Sequence, residues 1–510
     1  MGEPVVLPSI ERRDARAAEA EDVTAAHHLL LRVAVIAVAT ATAATAGARP
    51  PRPAPAASQA HPPRSAPAAS PAGRPRRAPA PSPGRPPRPA PAAPHALLPA
   101  PAAPQAPPAS LAPPALPSAA SPEPAAWRAL VVGGGPRPPM NQVAIEGHIR
   151  YFQSLLPAWA ERRVLFADGR RGTRSVQFLD GDRTRYRAPR LPRIDGATTR
   201  PGFDAIWRRF VHARPADPLL LYFAGHGSPD PGHDLDNNVF DLWGGGALSV
   251  RDLAARMKEL PASTPVVLVM AQCYSGSFAN LLFEGGRPDG ELVERDIVGF
   301  FAATRDRPAS GCTPEIDEAD YTDFSSFFFA ALSGVDRLGK RVDGADYDRN
   351  QLVGMNEAFA YALLHQETGD VPVATSDVFL RRFVNKPDHE TMATPYSRVL
   401  SWSTPAERAA LEGLSDALGL HGEHRLRAAY EREFGPRAGR RDVEDVDSAH
   451  RLRFIRLAKS VVLARTLRQS GHRARIERFE RLRAAEARNP LVEVRAASQA
   501  RQDGRRRAAR

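Results

Sequence analysis

More than half of the prolines in this 510-residue chain, 27 of 51, lie between Pro50 and Pro124. Proline has no N–H to give a helix or a sheet ladder. The same stretch offers little apolar surface beyond alanine and a few leucines, so it cannot bury enough to offset its ordering entropy. Residues 49–125 therefore read as a semi-extended, disordered linker, and folded structure is expected from about Trp127.

Upstream of the linker, residues 1–48 are signal-like. "LLLRVAVIAVATATAATAGA" (29–48) runs about sixteen small and apolar residues after Arg32 and ends in Ala46-Gly47-Ala48, a small-x-small cleavage pattern. It is short for a membrane-spanning helix of roughly twenty residues. Arg12, Arg13 and Arg16 precede it, while Glu19, Glu21 and Asp22 run against a signal's basic start. Export or secretion from a bacterial cell is the expectation, through a membrane-targeting signal. A cytoplasmic protein follows if the segment is not a signal.

From 127 to about 385, short apolar runs alternate with segments of helical period. "ALVVGG", "RVLFAD", "LLLYFAG", "TPVVLVMAQ" and "DIVGFFAAT" read as strands. Helices are expected over 141–157, 203–212, 248–260, 277–283, 322–333 and 354–366. This alternation predicts an α/β domain, 126–385, with a mostly parallel sheet covered by helices on both faces. The remainder, 386–510, reads as all-helical, with helices near 404–417, 423–434, 448–470 and 473–488. Arg425 to Arg510 holds 24 basic and 11 acidic residues. Only four of the 69 basic residues are Lys, so the arginines reflect a bias of the whole chain, and nucleic acid is not the expected partner. "RLRFIRLAKSVVLARTL" is expected to pack its apolar stripe internally or across the α/β domain, as part of a separate module. The oligomeric state is not legible.

Two strand ends carry chemistry. Leu219 to Phe223 is too short for a usual helix and reads as a buried strand, so "AGHG" (224–227) puts His226 where that strand leaves the sheet. Open α/β sheets keep their ligands at such exits. Six apolar residues likewise end at Gln272-Cys273, and Ser275-Gly276 turn the chain into the next helix. Cys273 thus stands at a helix start, where amides and dipole are expected to favour its thiolate. One crossover helix separates the two strands, placing a base and a thiol at the same edge. The cysteines, Cys273 and Cys312, have no disulfide or zinc spacing.

"YFAGHGS" (222–228) and "QCYSGS" (272–277) resemble the paired motifs of the legumain-like, caspase-related cysteine peptidases of the C13 type. The helix "LSVRDLAARMKEL" stands where that family has its crossover helix, and "VVGGGPRPPMNQ" (131–142) is similar to its first strand and Asn-bearing loop. The resemblance spans roughly 127–335 and implies a caspase-like fold and a cysteine endopeptidase acting on a protein or peptide substrate without a cofactor. Cys273 would attack the peptide carbonyl, and His226 would protonate the leaving amine and then activate water. The amides of Gly227 and Cys273 would hold the oxyanion. By resemblance, Asn141 would orient His226; read by itself, it is equally a helix N-cap. Val143, Ala144 and Ala271 replace the family's pocket residues, so strict cleavage after Asn does not follow.

"YTDFSSFFFAALS" lines up with the family's pocket-side stretch, its acidic position falling on Asp323. That carboxylate would accept from Asn, Arg or Lys at P1, with Ser310 and Cys312 in the wall, or would simply cap a helix. Arg305, turned inward, would pair with Asp323 or attract an acidic P1 residue. Two other classes stand beside the peptidase: an idle caspase-like scaffold whose basic tail binds a partner or nucleic acid, and a metal hydrolase using His226, His233 and Asp230, which lacks ligand spacing. "DYDRNQLVGMNE" puts Asp346, Asp348, Asn350 and Glu357 at positions 1, 3, 5 and 12 of a calcium loop. Gln351 occupies the sixth position, where Gly is usual, so a polar loop before a helix is the favoured reading.

Overall fold

In the computed structural model the residues described are 127–496 apart from 159, 437 and 439–441. The signal-like and linker segments lie outside them. Among the described residues no helix is long and apolar enough to cross a membrane.

The elements follow in order: β1 (Arg128–Gly134), α1 (Val143–Leu155), β2 (Arg162–Phe166), the hairpin β3 (Val176–Asp180) and β4 (Arg183–Arg187), and α2 (Arg200–Ile206), which widens into a π-helical turn at Trp207–Val211. Next come β5 (Leu219–Gly225), the short strands β6 (Gly227–Ser228), β7 (Val239–Leu242) and β8 (Gly246–Ser249), α3 (Val250–Lys258) and β9 (Val266–Met270). A 3₁₀ helix (Ser275–Leu282) leads to β10 (Ile297–Phe301), α4 (Phe324–Ser333), α5 (Met355–His365), β11 (Val373–Ala374) and α6 (Thr375–Phe383). The remaining helices are α7 (Asp388–Met392), α8 (Tyr396–Trp402), α9 (Pro405–Ala417), α10 (Arg425–Phe434), α11 (Val446–Gln469) and α12 (Arg473–Glu486).

Six strands form the main sheet in the order β11-β10-β9-β5-β1-β2. All pairs are parallel except β10 with β11. Every residue of β1, β5, β9 and β10 is buried, as near-continuous apolar strands covered on both faces should be. The chain steps from β1 to β2 on one side and later to β5 on the other. The sheet's switch point therefore lies between β1 and β5, and its crevice is bounded by the loops that follow those strands.

Local signals set the connections. Ser249 and Asp252 close a capping box at the start of α3, and Thr404 and Glu407 close another at α9. The segment expected as a helix over 277–283 is 3₁₀, not α. The expected parallel strands and most helices are present, whereas the β3–β4 hairpin, the β6–β8 sheet and β11 were not expected.

The helical C-terminal region does not stand apart. Leu463, Ala464 and Leu467 of α11, and Phe479 and Leu482 of α12, belong to the same core as the sheet, while α8 to α11 also build a smaller core around Leu411, Leu414 and Phe454. A few of its charges are interior. Arg478 of α12 is buried and donates to the carbonyls of Val293 (3.2 Å) and Arg295 (2.6 Å) beside β10. Glu486 is likewise buried and accepts from Ser376 N–H at the start of α6 (2.9 Å). The expected separate module is thus corrected, because its apolar stripe completes the sheet's own core.

Leu463 is fully buried in that shared core, so Leu463→Ala should cost about 3 kcal/mol, a typical value for a buried leucine. It should lower a single thermal transition as a whole. Calorimetry that resolves a helical transition moving alone, with the sheet's Tm unchanged, would contradict a shared core.

Candidate active site

His226 follows β5 at the switch point and is held between two close backbone approaches. A Cβ on Gly225 would lie 2.7 Å from the Gly134 carbonyl, and one on Gly227 would lie 2.3 Å from the Cys273 carbonyl. Only glycine lets the histidine loop press against both neighbouring loops. The Asp241 N–H donates to the His226 carbonyl (3.0 Å), which makes Gly227 and Phe240 a non-hydrogen-bonded pair and turns the Gly227 N–H away from β7.

The imidazole is half-buried, and its Nε2 lies 2.9 Å from Gln142 Oε1. Burial lowers the His226 pKa below the ordinary imidazole value, with Asp241 and the Met140 carbonyl acting in the opposite direction. Asp241 in turn accepts from the Ser228 hydroxyl (2.8 Å), and burial raises its own pKa.

Cys273 leaves β9 on the neighbouring strand. Tyr274 takes a left-handed backbone, φ 58°, and its N–H donates to the Arg307 carbonyl (2.9 Å). The thiol meets the loop that follows β10: Ala309 N–H donates to Sγ (3.2 Å), and Sγ lies 3.5 Å from the Ala309 carbonyl. Burial raises the thiol pKa above its ordinary value; the Asp370 charge adds to this, and the Ala309 amide opposes it. Desolvation thus acts against the thiolate that a helix start was expected to favour.

The loop 304–314 drapes over the carboxyl edge of the sheet. Cys312 Sγ lies 3.5 Å from the Gly225 carbonyl, and burial pushes that thiol up as well. Both cysteines are free. The Gly311 carbonyl accepts from His148 Nε2 (2.9 Å), while His148 Nδ1 accepts from Arg337 (2.8 Å), which fixes His148 as the neutral Nε2–H tautomer. Burial lowers its pKa in the same sense.

Three expected roles need correction. Asn141 is fully buried but holds the loop backbone, accepting from Gly135 N–H (3.0 Å) and donating to the Ser175 carbonyl (3.0 Å). It neither faces His226 nor caps α1, whose N-cap is Gln142. Asp323 is the buried N-cap of α4: it accepts from Ser325 N–H (2.9 Å) and Ser326 N–H (3.3 Å) and lies 3.6 Å from His148. Burial would raise its pKa, but the Arg337 guanidinium and the two serines hold it below the usual carboxylate range. With both oxygens engaged, Asp323 gives no basis for a P1 preference. Arg305 turns outward to Asp236 (2.5 Å), not to Asp323. Ser310, expected in the pocket wall, lies on the draping loop with its N–H given to Asp370 (2.6 Å).

Sequence reasoning passed over two residues here. Gln272 is 1% exposed, and neither Oε1 nor Nε2 has a protein partner. Its Cγ approaches Gly227. Asp370 is 1% exposed, and burial raises its carboxyl pKa to about 6. Only Gln272's place beside Cys273 offered a signal.

The residues of the weak calcium candidate are brought together. Ligand atoms of Asp346, Asp348 and Glu357 lie within 4.8 Å of one another. Each is already engaged: Asp346 accepts from Asn350 and Gln351 N–H, Asp348 from Asn350, and Glu357 from Tyr347, Asp348 and Gly354 N–H. Gln351 adopts φ 71°, the conformation for which glycine was expected. These bonds describe a self-held polar loop at the start of α5. Asp230, for its part, organises its own loop by accepting from Gly232 N–H (2.8 Å) and the Asn237 amide (3.0 Å).

No family model matches the chain, and neither does any curated protein. Among solved structures it is similar to the protein GSU0716 from Geobacter sulfurreducens, with a TM-score of 0.29 and 13% identity over 49% of this chain and 92% of that one. At that distance the likeness bears on neither activity nor substrate.

Neighbouring amides with different partners predict different phenotypes. Asn141→Ala strips acceptor and donor from a buried loop and should cost about 1–3 kcal/mol of stability. Gln142→Ala should leave Tm nearly unchanged and move the His226 imidazole titration seen by NMR. If Asn141→Ala moves the His226 titration and Gln142→Ala does not, the assignment above is reversed.

Proposed function

We propose that the protein is a cysteine endopeptidase with Cys273 as nucleophile and His226 as its acid–base partner. The observation that carries this reading is the contact between Gly227 and the Cys273 carbonyl, which joins the base loop and the thiol loop at one end of two paired parallel strands. The resemblance of "YFAGHGS" and "QCYSGS" to C13-type peptidases supports the same reading.

Electrostatics define the resting state. Burial raises the thiol and lowers the imidazole, and both shifts favour the neutral forms over a thiolate–imidazolium pair. The thiol proton passes to His226 as sulfur attacks the peptide carbonyl. The imidazolium then protonates the leaving amine, and His226 removes a proton from the water that hydrolyses the thioester. The outward-turned Gly227 N–H and the Cys273 N–H are the donors assigned to the oxyanion.

Cys273→Ala should abolish cleavage of a mixed peptide library with little change in Tm. Cleavage that survives in this variant sinks the proposal. The acid limb of kcat/KM reports the free histidine, which must be neutral to accept a proton. Because its pKa is lowered, activity should rise with pH below the ordinary imidazole range. Alkylation of Cys273 by iodoacetamide should climb only above the ordinary thiol range; a profile already flat at neutral pH would show a stored ion pair instead.

A further inference from the structure

Arg453 of α11 is 1% exposed, and its guanidinium donates to three carbonyls of one turn: Gln366 (2.8 Å), Thr368 (2.5 Å) and Asp370 (2.8 Å). That turn delivers the Asp370 carboxylate into the interior behind the nucleophile. One oxygen accepts from Ser310 N–H (2.6 Å) and the other from Phe324 N–H at the start of α4 (3.4 Å). Ser310 adjoins Ala309, the residue bonded to Cys273 Sγ. Arg307, on the same loop, donates to the Gly369 carbonyl (3.4 Å) and the Val443 carbonyl (2.8 Å). The helical C-terminal region thus reaches the sulfur through hydrogen bonds joined by the covalent links of Asp370 and of Ala309–Ser310.

We infer that Asp370 is a positioning residue for the nucleophile, held in place by Arg453, and that the C-terminal helices are part of the catalytic unit. The inference rests on the peptidase reading and deepens it. A buried carboxylate is costly unless it is hydrogen-bonded, and this one stands beside Asp323, whose like charge adds to the cost. What faces it from the surrounding elements is Asp323 on α4, Arg453 on α11, and the thiols of Cys273 and Cys312. Asp370 therefore acts on Cys273 in two separable ways: its amide contacts fix the loop that meets Sγ, and its negative charge disfavours the thiolate.

Two variants of the full chain separate these effects. Asp370→Asn removes the charge and keeps an acceptor for Ser310, so the pH midpoint of Cys273 alkylation by iodoacetamide should move to lower pH. Arg453→Lys preserves the charge but gathers its donors on one nitrogen, losing the fork that reaches three carbonyls from Nε, Nη1 and Nη2. It should leave that midpoint in place while lowering kcat roughly 10- to 100-fold, the cost of a displaced reacting group, with KM within about twofold. The alkylation arm needs no substrate, so it scores Asp370 even if the wild-type protein cleaves no peptide, a result that would fail the peptidase reading alone. An unmoved midpoint in Asp370→Asn, or a wild-type kcat in Arg453→Lys, overturns the inference. If Asp370→Asn does not fold, Arg453→Lys decides.

Discussion

Two loops meet at the carboxyl edge of the sheet so closely that a side chain on residue 227 would begin inside the Cys273 carbonyl. The sheet positions that meeting: β5 and β9 are parallel neighbours, each buried throughout, with Phe223 paired to Met270, and His226 and Cys273 each lie three residues beyond that pair. The order of the other strands then places the switch point between β1 and β5, so that the loop carrying Gln142 closes the third side. A side chain at residue 227 would push the His226 loop away from the Cys273 loop.

Burial is the second theme. It raises Cys273, Cys312, Asp370 and Asp241 and lowers His226 and His148, and in every case it favours the neutral form. One group nearby resists it, Asp323, which Arg337 and two serines hold below the usual carboxylate range; Arg453, lowered by burial to about 10, keeps its charge at neutral pH with three carbonyls around it.

How much of this the chain announces depends on range. Leu219–Phe223 and Val266–Met270 were legible as strands because both faces of each are buried, which writes an unbroken apolar run. His226 and Cys273 were legible because their glycines and small residues are local demands of two tight turns. Strands of two to four residues, such as β6, β7 and β8, are too short to display a period. Choosing between Asn141 and Gln142 depends on how the Pro138–Met140 turn rotates the loop, which no spacing rule contains. Arg453 and Asp370 lie 83 positions apart, and "ETGD" (367–370) reads as any surface turn until α11 packs behind it.

The most direct test of the central claim is covalent capture. The full-length protein would be treated with a mixed library of peptidyl acyloxymethyl ketones, which require a positioned thiol, and the labelled residue located by mass spectrometry. The account predicts one adduct, on Cys273, lost in His226→Ala at neutral pH while Cys312, whose thiol faces the Gly225 carbonyl, stays unmodified. Labelling of Cys312 in preference to Cys273, or labelling of Cys273 that is indifferent to His226, would contradict it.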